Sequence, residues 1–467
     1  MNENKRIIKA FLILGALFVL LIGYLSYFEL FLKADVVQNP YNRRIWEVDT
    51  GRVRGPITDR NGVVLAYSEA DGEGLVKRIY PFKNLYSHVI GYHSPLYGNH
   101  QLEATYQNDL SGDKAVNRIK DLWKQLSGET LYGNQLTLTI DHVLQTRASE
   151  LLKGRNGAVV ALDPRTGAIL AMVSNPSFDP NADALSEQWA AHQADPDAVL
   201  LPRATQGLYP PGSTFKVLTT AAAMGNGLAD FVWNDEGSIT VDGKVLQNFN
   251  GKVFGQVDLN KAFTQSVNTY FAALGLEVGE DRLVETTEAF HFNQAWTFPL
   301  QVATSRFERG QGSLTALASA SIGQGTLLMT PLHMALMAGT VANGGNMMTP
   351  YLVQSVQMAS GEQVENTIPK VLSKAIPVET AQALTQLMIQ VVDQGTGTRA
   401  KISGIKVAGK TGTAQNERSG EDHAWFVGFA PAADPQIVVA VLLEYSGTTG
   451  GNASAPIAAD IMGTYLK

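Results

Sequence analysis

Arg203-Ala-Thr-Gln-Gly-Leu-Tyr-Pro-Pro-Gly-Ser-Thr-Phe-Lys216 ends on a serine and a lysine three positions apart, and this stretch decides the rest of the reading. Pro210-Pro211-Gly212 breaks whatever precedes it, and the apolar run from Ser213 to Ala223 predicts a helix that opens at the serine. Residues three apart share a helix face, which brings the Lys216 ammonium within reach of the Ser213 hydroxyl. The positive end of a helix favours an alkoxide and disfavours a protonated lysine. Burial depresses a lysine further and makes it a usable base. A hydroxyl with such a base beside it is what acyl transfer to serine requires.

The Ser-x-x-Lys pattern alone is weak, since Ser111/Lys114 and Ser403/Lys406 repeat it. The first of these lies in a Gly/Asp turn. The second contains a glycine and enters a strand, so neither puts the pair on a helix face. What singles out Ser213/Lys216 is its company. Ser266-Val-Asn268 is the sole Ser-x-Asn in the chain, and Lys410-Thr411-Gly412 the sole Lys-Thr-Gly. Alone, the one reads as a helix cap or turn and the other as a solvated turn. In this order they match the triplet of penicillin-binding proteins and serine β-lactamases, with Val267 where the aspartate of Ser-Asp-Asn would stand. Ser266 is placed to relay a proton between Lys216 and a leaving nitrogen, and the Asn268 amide to bind a peptide backbone. The Lys410 charge suits a substrate carboxylate, with hydroxyls from Thr411 and Thr413 beside it. Gly409 and Gly412 are expected to let a peptide approach a strand edge closely. The backbone N–H groups of Ser213 and Thr413 are the expected oxyanion donors.

Composition narrows the classes. The 467 residues suffice for two or three domains. A hydrophobic share of 45% with 17% charged residues is that of a folded chain. The net charge of −7 argues against a nucleic-acid partner. The absence of cysteine removes disulfides, thiol nucleophiles and thiolate metal sites. The eight histidines are scattered and no His-Glu-x-x-His occurs, so neither metal nor cofactor is expected. Ser213 does not sit in a Gly-x-Ser-x-Gly elbow.

Ala10 to Phe28 carries no charged residue, and about 19 residues of helix span roughly 28 Å, the thickness of a hydrocarbon core. Lys5, Arg6 and Lys9 precede it, which predicts a single membrane pass with a cytoplasmic N-terminus. A cleaved signal peptide is the competing reading, but Tyr24, Tyr27, Phe28, Leu30 and Phe31 stand where a small-x-small cleavage site would follow.

The expected organisation is a tail and anchor over 1–33, a mixed α/β module over 34–139 and a larger domain over 140–467. In the first module, Arg54 to Ala66 reads as a hairpin around Asn61-Gly62, and 114–127 has helical spacing. In the second, Asn156–Asp163 and Ala168–Ser174 read as an antiparallel hairpin. Gly404–Gln415, His423–Ala430 and Gln436–Tyr445 read as strands, with a closing helix over 454–466. Ala-, Leu- and Met-rich helices (213–224, 331–342, 378–393) lie between. The fold class is α+β, an antiparallel sheet whose strands come from both sequence ends around a helical insertion.

With these residues in view, the chain resembles a class B penicillin-binding protein, the monofunctional transpeptidase family with one membrane anchor. Arg54-Gly-Pro-Ile-Thr-Asp-Arg-Asn-Gly62 is similar to the motif of that family's N-terminal pedestal. Gly157 to Pro176, Arg203 to Lys216, Ser321-Ile-Gly-Gln-Gly-Thr326, Gly409 to Gln415 and Ala424 to Pro431 carry the rest. The sequence departs from the family at Pro202, where Asn is frequent before Arg-Ala, and at Gln101-Leu-Glu103, where Gly-Leu-Glu is common. The resemblance implies a five-stranded antiparallel sheet flanked by helices on a smaller pedestal. It also implies a D,D-transpeptidase that cross-links peptidoglycan stem peptides through a Ser213 acyl-enzyme after releasing terminal D-Ala, in an extracytoplasmic domain. β-Lactam antibiotics would acylate the same serine. The catalytic set carried over is Ser213, Lys216, Ser266, Asn268 and Lys410, with Thr411, Gly412 and Thr413 binding substrate. Membrane lipid, a SEDS-family glycan polymerase and divisome or elongasome proteins are the implied partners. A D,D-carboxypeptidase, a class D-like β-lactamase and a catalytically silent β-lactam-binding scaffold are the rival readings.

Overall fold

The computed structural model describes residues 3–28, 52–70, 76–112, 131–310, 312–415 and 421–467. Helix α1 (Glu3–Tyr27) contains the apolar run, and its stretch Ile7–Tyr27 has mean hydropathy 2.5 with none of it buried against the protein. A helix so apolar and so uncovered matches the length of a membrane span.

The Asn61-Gly62 turn closes an antiparallel pair, β1 (Ile57–Thr58) and β2 (Val64–Ala70), as its dipeptide predicts. Asp59 Oδ1 accepts from the N–H groups of Asn61 and Val63 and rigidifies the turn. Strand β3 (Val76–Ile79) extends the sheet beyond β2, and β4 (Gln135–Leu138) runs parallel to β1 on the other side. Beneath it Glu103 is fully buried between two guanidiniums, Arg54 at 2.6 Å and Arg78 at 2.8 Å, with the Tyr80 hydroxyl at 3.1 Å. The helix expected over 114–127 lies outside the described residues. Gln101, in the place of a glycine frequent in the family, holds φ +54°, ψ −134°, a conformation that strains any residue with a Cβ.

Helix α2 (His142–Leu152) is capped by Asp141, whose carboxylate accepts from the N–H groups of Val143 and Leu144. The hairpin β5 (Gly157–Leu162) and β6 (Ile169–Asn175) follows in the expected antiparallel register. The insertion follows, and among its helices are α3 (Lys216–Gly225), α4 (Leu259–Gln265), α5 (Asn268–Val278) and α6 (Pro331–Ala342), the last with Thr330 as N-cap and Pro331 in the first turn. Strands β7 (Val353–Gln357) and β8 (Gln363–Asn366) do not stay with the insertion. They complete the N-terminal sheet in the order β8-β7-β4-β1-β2-β3, with Val356 opposite Leu136. The sequence reading did not anticipate this exchange, because the partner strand lies over 200 residues away.

After α7 (Val378–Gln394), strands β9 (Ala408–Ala414), β10 (His423–Ala430) and β11 (Ile437–Leu443) complete a five-stranded antiparallel sheet in the order β6-β5-β11-β10-β9. Helix α8 (Gly450–Tyr465) closes the chain. Every residue of β5, β10 and β11 is buried. The reason is cover on both faces. Val159, Val439 and Val441 pack with α2 and α8, while Val160, Ala440 and Leu442 belong to the core shared with α6 and the insertion. Two-sided burial is why these strands read as unbroken apolar runs rather than alternating ones. The arrangement leaves β6 and β9 as the two edge strands, with β9 facing the insertion.

Candidate active site

Ser213 and Lys216 do not share one α-helix. Gly212–Phe215 forms a 3₁₀ turn, and α3 starts at Lys216 itself. The effect on the pair is favourable, since side chains three apart eclipse in a 3₁₀ turn. Gly212 adopts φ +55°, and a Cβ there would sit 2.6 Å from the Thr413 carbonyl oxygen. Its N–H donates to the Gly323 carbonyl at 2.9 Å, and Gly323, at φ +83°, has no room for a Cβ against Gly212. Ser321-Ile-Gly-Gln-Gly-Thr326 thus acts as a backstop that presses the serine turn onto β9.

Ser266 terminates α4 in the left-handed conformation, φ +59°, ψ +44°, and Asn268 opens α5 two residues later. This sharp junction turns both side chains and the Ser266 carbonyl to one side. Lys216 Nζ donates to Ser266 O at 2.8 Å and Asn268 Oδ1 at 2.7 Å, and lies 3.2 Å from Ser266 Oγ. The Asn268 amide nitrogen donates to the Gln247 carbonyl at 2.8 Å. Lys410 Nζ reaches the same Ser266 Oγ at 3.1 Å and its neighbour's carbonyl, Thr411 O, at 3.2 Å. The three motifs, separated by up to about 200 residues, meet in one place. All of Lys216's hydrogen bonds among the described residues go to Ser266 and Asn268, not to Ser213.

Both lysines are completely buried, while Ser213, Ser266, Asn268 and Thr413 are partly open to solvent. Neither ammonium has a carboxylate partner among the described residues; instead Lys216 lies 5.3 Å from the Phe271 ring centroid and Lys410 5.7 Å from that of Phe263. Burial pulls Lys216 well below the ordinary lysine range, and the positive charge of Lys410 adds to this. Burial also lowers Lys410, to about 7. A neutral Lys216 beside an uncompensated Lys410 is a site prepared to accept one proton and to hold one anion.

The strand glycines also serve the protein's own packing, which the sequence did not announce. A Cβ on Gly412 would meet Pro211 O and Thr214 Cγ2 at 2.9 Å, and one on Gly409 would strike the Phe426 ring. They let the serine turn and the β10 aromatic approach β9. Lys410 is on an edge strand but is not exposed, because Phe263 of α4 and Ser266 at that helix's end lie against its ammonium. Thr411 carries a partner the sequence did not announce, the Thr396 hydroxyl at 2.6 Å. Phe263 and Phe271 were equally unannounced. Each is five or fewer residues from Ser266, but a phenylalanine in an apolar helix gives no sign that it lies under a lysine.

The profile of the penicillin binding protein transpeptidase domain matches residues 157–463. The chain belongs to the class B penicillin-binding proteins. A second profile, the penicillin binding protein A dimerisation domain, matches residues 54–136 of this penicillin-binding protein. Peptidoglycan D,D-transpeptidase PbpA of Mycolicibacterium smegmatis is 36% identical over 98% of this chain and 97% of its own length. Its counterpart in Mycobacterium tuberculosis H37Rv is 34% identical over 100% of this chain and 99% of its own. Among solved structures, the ceftriaxone acyl-enzyme complex of penicillin-binding protein A from M. tuberculosis superposes with a TM-score of 0.85 at 35% identity. It covers 90% of this chain and 99% of that one. The α+β penicillin-binding transpeptidase fold expected from the motifs is borne out.

Proposed function

We propose that this penicillin-binding protein is a peptidoglycan D,D-transpeptidase that works through an acyl-enzyme on Ser213. The observation that carries the reading is the shared hydroxyl: Ser266 Oγ lies within hydrogen-bond reach of both Lys216 and Lys410. Ser213 Oγ attacks the carbonyl of the penultimate D-Ala of a stem peptide, and its proton passes to neutral Lys216 Nζ. Two N–H bonds of that amine are engaged by Ser266 O and Asn268 Oδ1, which leaves the lone pair for a hydroxyl. The backbone N–H groups of Ser213 and Thr413 receive the oxyanion. The carbon–nitrogen bond then breaks, and the departing D-Ala nitrogen takes the proton from Lys216 through Ser266 Oγ. Lys410, with the Thr411 and Thr413 hydroxyls, holds the terminal carboxylate, and Gly412 between the two threonines completes the substrate-binding strand. An amine from a second stem peptide attacks the ester, returns its proton along the same path and forms the cross-link. With a β-lactam the leaving group stays tethered after ring opening, so the ester persists.

We assign residues 34–139 as the pedestal and 140–467 as the catalytic domain. α1 anchors the chain in the bacterial membrane, and Lys5, Arg6 and Lys9 set its N-terminus on the cytoplasmic side. The anchor and pedestal are the faces offered to a SEDS-family polymerase and to divisome or elongasome proteins.

The test is labelling of the protein with fluorescent penicillin, comparing wild type with Ser213→Ala. A stable adduct on Ser213, absent from the variant, supports the reading. Rapid turnover of penicillin points to a β-lactamase, and no labelling of wild type to a silent scaffold. Exchange of the terminal D-Ala of a model peptide for an added D-amino acid separates transpeptidation from hydrolysis to the shortened acid.

A further inference from the structure

Residues 233–257 leave the core as two small antiparallel ladders, Trp233–Asp235 with Gly255–Val257 and Ser238–Val241 with Lys244–Gln247. At their root Asp235 is buried, 1% exposed, with no cation paired to it among the described residues. Its Oδ1 accepts from Gly237 N at 3.0 Å, Asn248 Nδ2 at 2.8 Å and Thr269 Oγ1 at 2.5 Å, and its Oδ2 from Phe254 N at 2.7 Å. Burial works against the charge, but these four donors outweigh it and hold the carboxyl below its usual range. An ionised carboxylate accepts only, so each donor is fixed in direction.

From this hub a line of bonds leads to the lysine. Asn248 Oδ1 accepts from Thr269 N at 3.1 Å, which pins the end of the Lys244–Gln247 strand to the first turn of α5. The adjoining Gln247 carbonyl accepts from Asn268 Nδ2, and Asn268 Oδ1 accepts from Lys216 Nζ. We infer that Asp235 is a positioning residue for acylation, holding the Gln247 carbonyl where it fixes which way the Asn268 amide faces Lys216. The inference rests on the acyl-enzyme reading above.

An asparagine amide has two faces of opposite character. The Gln247 oxygen accepts only from the NH₂, so the amide oxygen must turn to Lys216. There it takes one N–H of the amine and leaves the lone pair for the serine proton. With the carbonyl displaced, the amide is free to flip. Its NH₂ then donates into that lone pair and consumes the base.

Asp235→Asn tests this, because one oxygen cannot accept four bonds and the new NH₂ confronts a donor. Penicillin acylation at saturation should slow roughly 10- to 100-fold, the scale of misplacing a catalytic group, with half-saturation little changed. The acid limb of the acylation profile should move to lower pH, since protonated Lys216 loses an acceptor. Lys410, the other titratable group facing Lys216, governs the alkaline limb, which should stay in place. Asn248→Ala leaves Asp235 three of its donors and cuts the link to Thr269 N, together with the bond from Asn248 Nδ2 to the Lys252 carbonyl. It should shift rate and acid limb in the same directions, and it decides alone if Asp235→Asn does not fold. Variants that fold by thermal melting but keep the wild-type rate overturn the inference, as does slower acylation with an unmoved acid limb. Failure of wild type to label overturns the acyl-enzyme reading instead.

Discussion

Lys216 and Lys410 direct their ammonium nitrogens at one oxygen, Ser266 Oγ, from 3.2 and 3.1 Å. Two buried cations cannot both keep their protons against a single hydroxyl at low cost. Lys216, lowered by burial and by Lys410's charge, gives up its proton first. Penicillin acylation of the free enzyme should therefore rise with pH far below 10.5, as Lys216 becomes a base. It should fall again near pH 7, as Lys410 loses the charge that holds the carboxylate. Second-order acylation rates from pH 5 to 10 check this. A β-lactam with an esterified carboxylate should lack the falling limb, and a rate that climbs steadily to pH 10 contradicts the assignment.

Ser266 combines chemistry with a strained backbone, and two substitutions separate them. Ser266→Ala and Ser266→Gly both remove the shared hydroxyl and should slow acylation by about 10²-fold. Glycine accepts φ +59° without a Cβ penalty, so the glycine variant should be more stable than the alanine variant by about 1 kcal/mol. Denaturant unfolding of the two provides the measurement. Equal stabilities would mean that the junction is not strained.

Glu103 is held at about 2: burial by itself would raise it, and the Arg78 and Arg54 guanidiniums outweigh burial. Its folded value lies below its unfolded one, 4.5, so the unfolded chain binds the extra proton between those values. The stabilisation is complete above about pH 4.5 and is lost as pH falls toward 2. Glu103→Gln leaves two buried guanidiniums without a counter-charge and should cost about 3–5 kcal/mol at neutral pH. It should also flatten the acid dependence of stability over that window, as read by melts at stepped pH.

Gln101 offers the opposite case. Its backbone is in a region suited to glycine, and its amide nitrogen is buried with no hydrogen-bond partner among the described residues. Gln101→Gly should stabilise the protein by about 1 kcal/mol. Acylation should not change, since the backbone hydrogen bonds of Gln101 run to Ala104 and Thr105 and not to the site residues. A loss of stability would show that the side chain has packing value greater than its strain.

The strands and helices around the site were legible because each has a local cause. Continuous apolar runs mark β5, β10 and β11, Asn61-Gly62 marks the first hairpin, and Pro331 after Thr330 marks α6. The motif residues were legible because Ser266-Val-Asn268 and Lys410-Thr-Gly412 each occur once. What stayed hidden depends on contacts between distant segments. Nothing near Val353–Gln357 says that it pairs with Gln135–Leu138. Nothing near Gly412 says that its missing side chain makes room for Pro211. Asp235 looks like any turn aspartate until four donors from Gly237, Asn248, Phe254 and Thr269 are seen around it. The expected helix start at Ser213 erred by one turn because Pro210-Pro211-Gly212 tightens the backbone into a 3₁₀ form first.

The six-stranded sheet has a practical corollary for anyone who would shorten the protein. Because β7, with β8 beside it, comes from downstream of the nucleophile yet pairs with β4, the pedestal and the catalytic body are stitched across the chain rather than strung in sequence. Severing them between β4 and α2 would bare a raw hydrogen-bonding ladder on each fragment, an invitation to self-association. The same seam joins the N-terminal sheet directly to the segment that follows α6, so a displacement of that sheet reaches the catalytic half through paired backbone.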